Sequence, residues 1–117
     1  MGRLSKETLN QGEIVLLPFP FSDLEESKIR PALIVSSNSV NSKSDDLLMV
    51  PLTNIIKKES HSILINQNDL YSGKLIKPSR IRADKIFCVT KELIVMKIGK
   101  LNKIKFESVK NEIYKLF

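Results

Sequence analysis

Four residue types are scarce in this sequence, and each scarcity closes off a class of function. There is no tryptophan, one cysteine, one histidine and only four glycines in 117 residues. A single cysteine, Cys88, excludes an internal disulfide and any thiolate cluster for a metal, and fits a reducing compartment. Within the apolar run IFCV it reads as a small core residue. A single histidine, His61, excludes two-histidine acid–base chemistry and histidine-rich metal sites; in HSILIN it is expected on the surface near a strand start. Catalysis, if there is any, falls to Arg, Lys, Asp, Glu, Ser, Thr or Tyr. No metal or other cofactor is expected. The opening MGRLSKETLNQGE has no apolar stretch of the kind that directs export, and no later run approaches a membrane span. A soluble, cytoplasmic protein without a membrane partner is the expectation.

What is present is a basic chain. Nineteen Lys and Arg against thirteen Asp and Glu give a net charge of +6 and a pI near 9.5. Such a balance favours phosphate-rich or acidic partners, because cationic surfaces gain from counterion release when they meet a polyanion. With 42% hydrophobic and 27% charged residues, the chain reads as one globular domain over residues 1–117.

Short apolar runs separated by turn-rich segments dominate the first hundred residues. GEIVLLP reads as a first strand, PALIVSS as a second, LLMVPLT as a third and SILIN as a fourth. LIKPSRIR followed by KIFCV makes a long or broken fifth, and IVMKIGKL closes the β portion. SNSVNSKSDD reads as a connector and NQNDLYSG as a turn. Pro51, inside the third run, marks an edge position or a bulge. From Asn102 the period changes. Phe106, Val109, Ile113, Leu116 and Phe117 recur at spacings of three and four, predicting a terminal helix capped by Asn102. Five or six strands with one closing helix predict a mainly β protein, a small SH3-like antiparallel β-barrel with a C-terminal α-helix.

Three segments set polar residues beside apolar strands: Arg30 in KIRPALIV, Thr53 in MVPLTN, and Arg82 with Asp84 in SRIRADKIF. Proline drives the residue before it toward extended geometry, so Arg30 is expected at the mouth of a strand, as an anion-binding or an ordinary surface arginine would be. Arg82 and Asp84, two apart, read equally as a surface ion pair. Thr53 alone reads as an ordinary strand end.

Taken together and in order, GEIVLLPFPFSDL, KIRPALIVSS, MVPLTN, RIRADKIF and KIGKLN resemble the MazF/PemK family of toxin–antitoxin endoribonucleases, in its PemK-like branch. The resemblance runs from Gly12 to the terminal helix. It implies an SH3-like barrel that forms a homodimer and cuts single-stranded RNA, chiefly mRNA, at short sequences without metal, leaving a 2′,3′-cyclic phosphate and a 5′-hydroxyl. It also implies an acidic antitoxin that fills the RNA groove, with DNA reached only through that antitoxin. The family's functional arginine and threonine fall on Arg30 and Thr53, and its Arg-x-Asp pair on Arg82 and Asp84. In these roles Arg30 offers a rigid fork of N–H donors to non-bridging oxygens, Thr53 a hydroxyl to the phosphate, Asp84 a base for the 2′-OH, and Arg82 a stabiliser or proton donor.

The loop SDLEESK departs from the family, which commonly has a glycine near Arg30. Glu25 and Glu26 stand there as alternative bases or as solvated charge. For RNA contact, Lys28, Lys43, Lys57, Lys58, Lys74 and Lys77 are candidate phosphate neighbours, and Phe19, Phe21 and Tyr71 candidate stacking platforms. Phe19 and Phe21 flank Pro20, so one of the two is expected to pack inward. Two other readings remain: a non-catalytic SH3-like RNA- or antitoxin-binding protein, and a toxin of the same fold that poisons gyrase. The gyrase poisons act through a C-terminal tryptophan, whereas this chain ends in YKLF.

Overall fold

The computed structural model of the chain describes residues 8–19 and 28–117. Phe21, Glu25 and Glu26 lie outside them. The described elements are β1 (Glu13–Phe19), β2 (Lys28–Ile34), α1 (Asn38–Lys43), β3 (Asp46–Thr53), β4 (Ser62–Ile65), β5 (Leu70–Gly73), β6 (Ser79–Arg82), β7 (Phe87–Thr90), β8 (Met96–Leu101) and α2 (Lys103–Tyr114). All pairings are antiparallel, and the strands neighbour one another in the order β4-β6-β3-β2-β1-β8-β5, with β7 against β3. This is the mainly β, SH3-like barrel with a C-terminal helix that the short apolar runs and the terminal helical spacing predict.

Strand parity explains why the central runs are apolar at nearly every position. Val15 faces Ala32 and Ile14 faces Leu33 across β1 and β2, so successive residues bury into opposite sides. One side gathers Val15, Leu17, Ala32, Ile34, Leu47 and Met49. The other gathers Ile14, Leu33, Val50, Leu52, Ile65 and Ile81, and is closed by Phe106 and Val109 of α2. The helix begins where expected: the Lys105 N–H donates to Asn102 Oδ1 at 2.7 Å.

Pro51 sits where β3 changes partners. On one edge β3 pairs with β2 through Met49–Pro51; on the other it pairs with β7 through Asp46–Met49 and then with β6 from Leu52. The Leu48 C=O accepts from Val35 on the β2 side. By alternation Pro51 turns its missing N–H toward the other edge, into the gap between β7 and β6. The proline is thus accommodated in the middle of a strand.

Several expectations are corrected. Eight strands are described where five or six were expected. NQNDLYSG contains β5, an edge strand whose exposed residues carry no alternation to read. SNSVNSKSDD contains α1, a short helix whose composition is that of a loop; Ser37 caps it, accepting from Val40 N–H at 3.2 Å. The fifth run is broken into β6 and β7. Cys88 is exposed, because Phe87 and Val89 take the inward positions of IFCV and the pleat turns Cys88 out. Helix α2 ends at Tyr114, so Leu116 and Phe117 lie beyond it, the latter 93% exposed. His61 precedes β4 as expected, half-buried and with φ of 57°, its Nδ1 3.4 Å from Glu112 Oε1 on α2.

Candidate functional site

Arg30 is the third residue of β2, paired with Leu17 of β1, and its side chain is exposed. The strand therefore begins before the arginine, not after it: Pro31 is accepted within β2 and Lys28 and Ile29 extend the ladder. Lys28 and Arg30 line a groove of about 530 Å³ together with Lys74 and Lys77 from the segment between β5 and β6. Its floor includes Leu52, and Asn54 stands beside it. Four cations around one groove make it a place for an anionic chain. Among the described residues no carboxylate lies within ion-pair distance of Arg30.

Thr53 ends β3, between Leu52 and Asn54. Parity places it on the same side of β3 as Pro51, which faces Ala32; Arg30, two residues before Ala32, projects from that side also. The Thr53 hydroxyl is oriented locally. Its Oγ1 accepts from the Ile55 N–H at 3.1 Å, which leaves its hydrogen to donate elsewhere.

A second charge cluster adjoins Thr53. Across β3 and β6 Thr53 pairs with Arg80, a buried arginine. Arg80 Nη1 donates to Glu59 Oε1 at 3.1 Å, and Arg82 Nη2 lies 3.7 Å from the same oxygen. Arg82 Nη2 is also 3.7 Å from Asp84 Oδ2, so the Arg-x-Asp residues do meet, although β6 ends at Arg82 and Asp84 belongs to the turn beyond it. Arg82 Nε is enclosed and has no hydrogen-bond partner among the described residues. Lys57 Nζ completes the ring around Glu59 at 3.3 Å. A hydrogen bond from Lys57, and the charges of Lys57, Arg80 and Arg82, hold the Glu59 carboxyl below the ordinary carboxylate range.

The structure thus sorts the expected residues into two neighbouring groups joined by the end of β3: Arg30 with Lys28, Lys74 and Lys77 in the groove, and Thr53 with Arg82, Asp84 and Lys57 beside it. Lys58 is exposed on the same β3–β4 segment. Lys43 ends α1, and Tyr71 lies on β5 with Lys100 Nζ 6.0 Å from its ring centre. Neither lines the groove. Phe19 is corrected from a stacking platform to a core residue: it is 7% exposed and its ring packs 5.3 Å from that of Phe87, because its place in β1 repeats the inward parity of Val15 and Leu17. Arg80 and Glu59 are the residues that sequence reasoning missed. Among the described residues no three His, Cys, Asp or Glu side chains converge as metal ligands, and no helix is long and apolar enough to cross a membrane.

Residues 10–117 match the family model described as PemK-like, MazF-like toxin of type II toxin-antitoxin system. No curated protein matches the sequence. Solved structures of the same fold include an endoribonuclease in complex with its cognate antitoxin from Mycobacterial species, at 18% identity and a TM-score of 0.74, covering 92% of each chain. Mycobacterium tuberculosis toxin MazF-mt6 aligns at 17% identity and a TM-score of 0.71 over 88% of this chain and 93% of that one. MazE-MazF (Form-III) from Deinococcus radiodurans aligns at 17% identity and 0.73 over 93% and 95%.

Proposed function

Because the chain belongs to the PemK-like, MazF-like toxin family of type II toxin–antitoxin systems, we propose that it is an endoribonuclease that cleaves single-stranded RNA, without a metal, through its own ribose hydroxyl. The 2′-oxygen attacks the adjacent phosphorus, the bond to the 5′-oxygen breaks, and a 2′,3′-cyclic phosphate and a 5′-hydroxyl result. The negative charge that builds on the non-bridging oxygens is the main obstacle, and fixed cationic donors are the means of lowering it. Arg30 supplies a planar fork of donors to those oxygens. Thr53 adds its hydroxyl hydrogen and fixes the phosphate in line. Asp84 takes the proton from the 2′-OH. Arg82 stabilises the leaving side, where water supplies the proton, since a guanidinium stays protonated throughout the working pH range. Lys28, Lys57, Lys58, Lys74 and Lys77 hold flanking phosphates.

The observation that carries this reading is Arg30, exposed and lining a groove with three lysines, on the same side of the β2–β3 ladder as the oriented Thr53 hydroxyl. A homodimer and an acidic cognate antitoxin complete the proposal; an acidic segment would suit the same cations. That one solved structure of this fold is an endoribonuclease bound to its cognate antitoxin supports it at the level of the family.

The test is incubation of the purified protein with a long single-stranded RNA in EDTA. Discrete fragments with 5′-hydroxyl ends are expected, and Arg30→Ala should slow their appearance on the order of 10²–10³-fold, as for loss of an oxyanion donor. Intact RNA at high protein concentration would instead identify a non-catalytic binder.

A further inference from the structure

Arg80 is 4% exposed, and the mechanism above gives it no part. Burying a guanidinium is costly unless its donors are met, so the groups that meet them say what it is there to hold. Nε donates to the Ile55 carbonyl at 3.2 Å, and Nη1 to Glu59 Oε1 at 3.1 Å. The Ile55 N–H, in turn, donates to Thr53 Oγ1 at 3.1 Å. Ile55 is therefore gripped at both of its backbone groups, by Thr53 on one side and by Arg80 on the other. Packing does not hold it, since the residue is 64% exposed. Thr53 and Arg80 are also cross-strand partners, so the loop closes on itself: Thr53 to Ile55 to Arg80 and back across the β3–β6 ladder.

We infer that Arg80 is a positioning residue: by holding the Ile55 peptide it keeps the Thr53 oxygen engaged as an acceptor, which turns the single hydroxyl hydrogen outward to a substrate phosphate. A lysine could carry the charge but could not meet the carbonyl and the carboxylate with two fixed N–H groups. The inference rests on the endoribonuclease reading for what Thr53 does. The contact itself can be examined without it.

Two measurements decide the matter. First, Arg80→Lys, Thr53→Ala and the double variant are compared in RNA cleavage. Affinity is read separately on an RNA with 2′-deoxy sugars, which cannot react. Arg80→Lys should lower kcat on the order of tenfold, as misplacement of a reacting group does, with affinity within about twofold. In the Thr53→Ala background it should cost nothing more. Losses that multiply would mean that Arg80 acts independently of Thr53, and would overturn the inference. Second, amide hydrogen exchange at Ile55 should quicken in Arg80→Lys while Leu52 and Ile81, within the strands, stay protected; unchanged exchange at Ile55 would overturn it also. Should Arg80→Lys not fold, Glu59→Ala, on an exposed segment, removes the acceptor that anchors Nη1 and must quicken Ile55 exchange for the inference to stand. A wild-type protein that cuts no RNA would end the catalytic part along with the endoribonuclease reading, whereas the exchange data would still decide whether Arg80 sets Thr53.

Discussion

Single residues set the chemistry, and the two arginine environments differ in what a substitution would do. Arg30 is exposed, so Arg30→Lys keeps the charge and loses only the fork. RNA affinity should then change little, while cleavage falls on the order of tenfold or more, read as kcat against Kd on an uncleavable RNA. Glu59 yields a prediction with a definite sign. Its carboxyl is more acidic in the folded protein than in the unfolded chain. The stability it adds is complete above the unfolded value of about 4.3 and disappears as the pH falls through the lower folded value. Thermal melts of the wild type and Glu59→Gln should accordingly differ at pH 7 and converge as the pH falls through the lowered folded value. Arg30, Thr53, Arg82 and Asp84 were legible as candidates because each is a polar residue set beside an apolar run, and the family resemblance picked them out together. Arg80 was not. In SRIR the two arginines look alike, and only the 54–61 segment, folding over β6 and bringing Glu59 and the Ile55 carbonyl with it, makes one of them buried.

Elements were legible to the extent that their burial is periodic. Helix α2 shows its inward face in Phe106, Val109 and Ile113 and its cap in Asn102; Leu116 and Phe117 continue the spacing after the helix has stopped. Asn102→Ala should cost about 1 kcal/mol in denaturant unfolding, the usual worth of a side-chain cap. Strand β5 was invisible for the opposite reason. Among the described residues it is an edge strand paired only with β8, and what fixes it is backbone approach. Gly73 has φ of 88°, and a Cβ there would lie 2.2 Å from the Ile98 carbonyl oxygen. Gly73→Ala should therefore destabilise by more than about 1 kcal/mol and expose the β8 edge amides to exchange, since both the conformation and the space are wrong for it. The barrel could be anticipated from the number of short apolar runs and the closing helix, whereas the strand count could not, because β5 is exposed and forms no such run.

For the whole molecule, a net charge of +6 is informative only once the cations have a place. Lys28, Arg30, Lys74 and Lys77 share one groove; Lys43 does not. Binding of single-stranded RNA should weaken with salt, and replacing Lys74 and Lys77 by Gln should flatten the slope of log K against log salt by about 0.7 for each cation that meets a phosphate. Lys43→Gln should leave that slope unchanged. Strand β3 has a further consequence at this scale. Arg30 belongs to the ladder of β1 and β2, whereas Thr53 is tied to β6 and β4, and the two assemblies share that one strand on either side of Pro51. Any flexing of β3 about the proline would alter the span across which a phosphodiester is gripped. Turnover would then track the rigidity of eight residues more closely than the melting temperature of the protein.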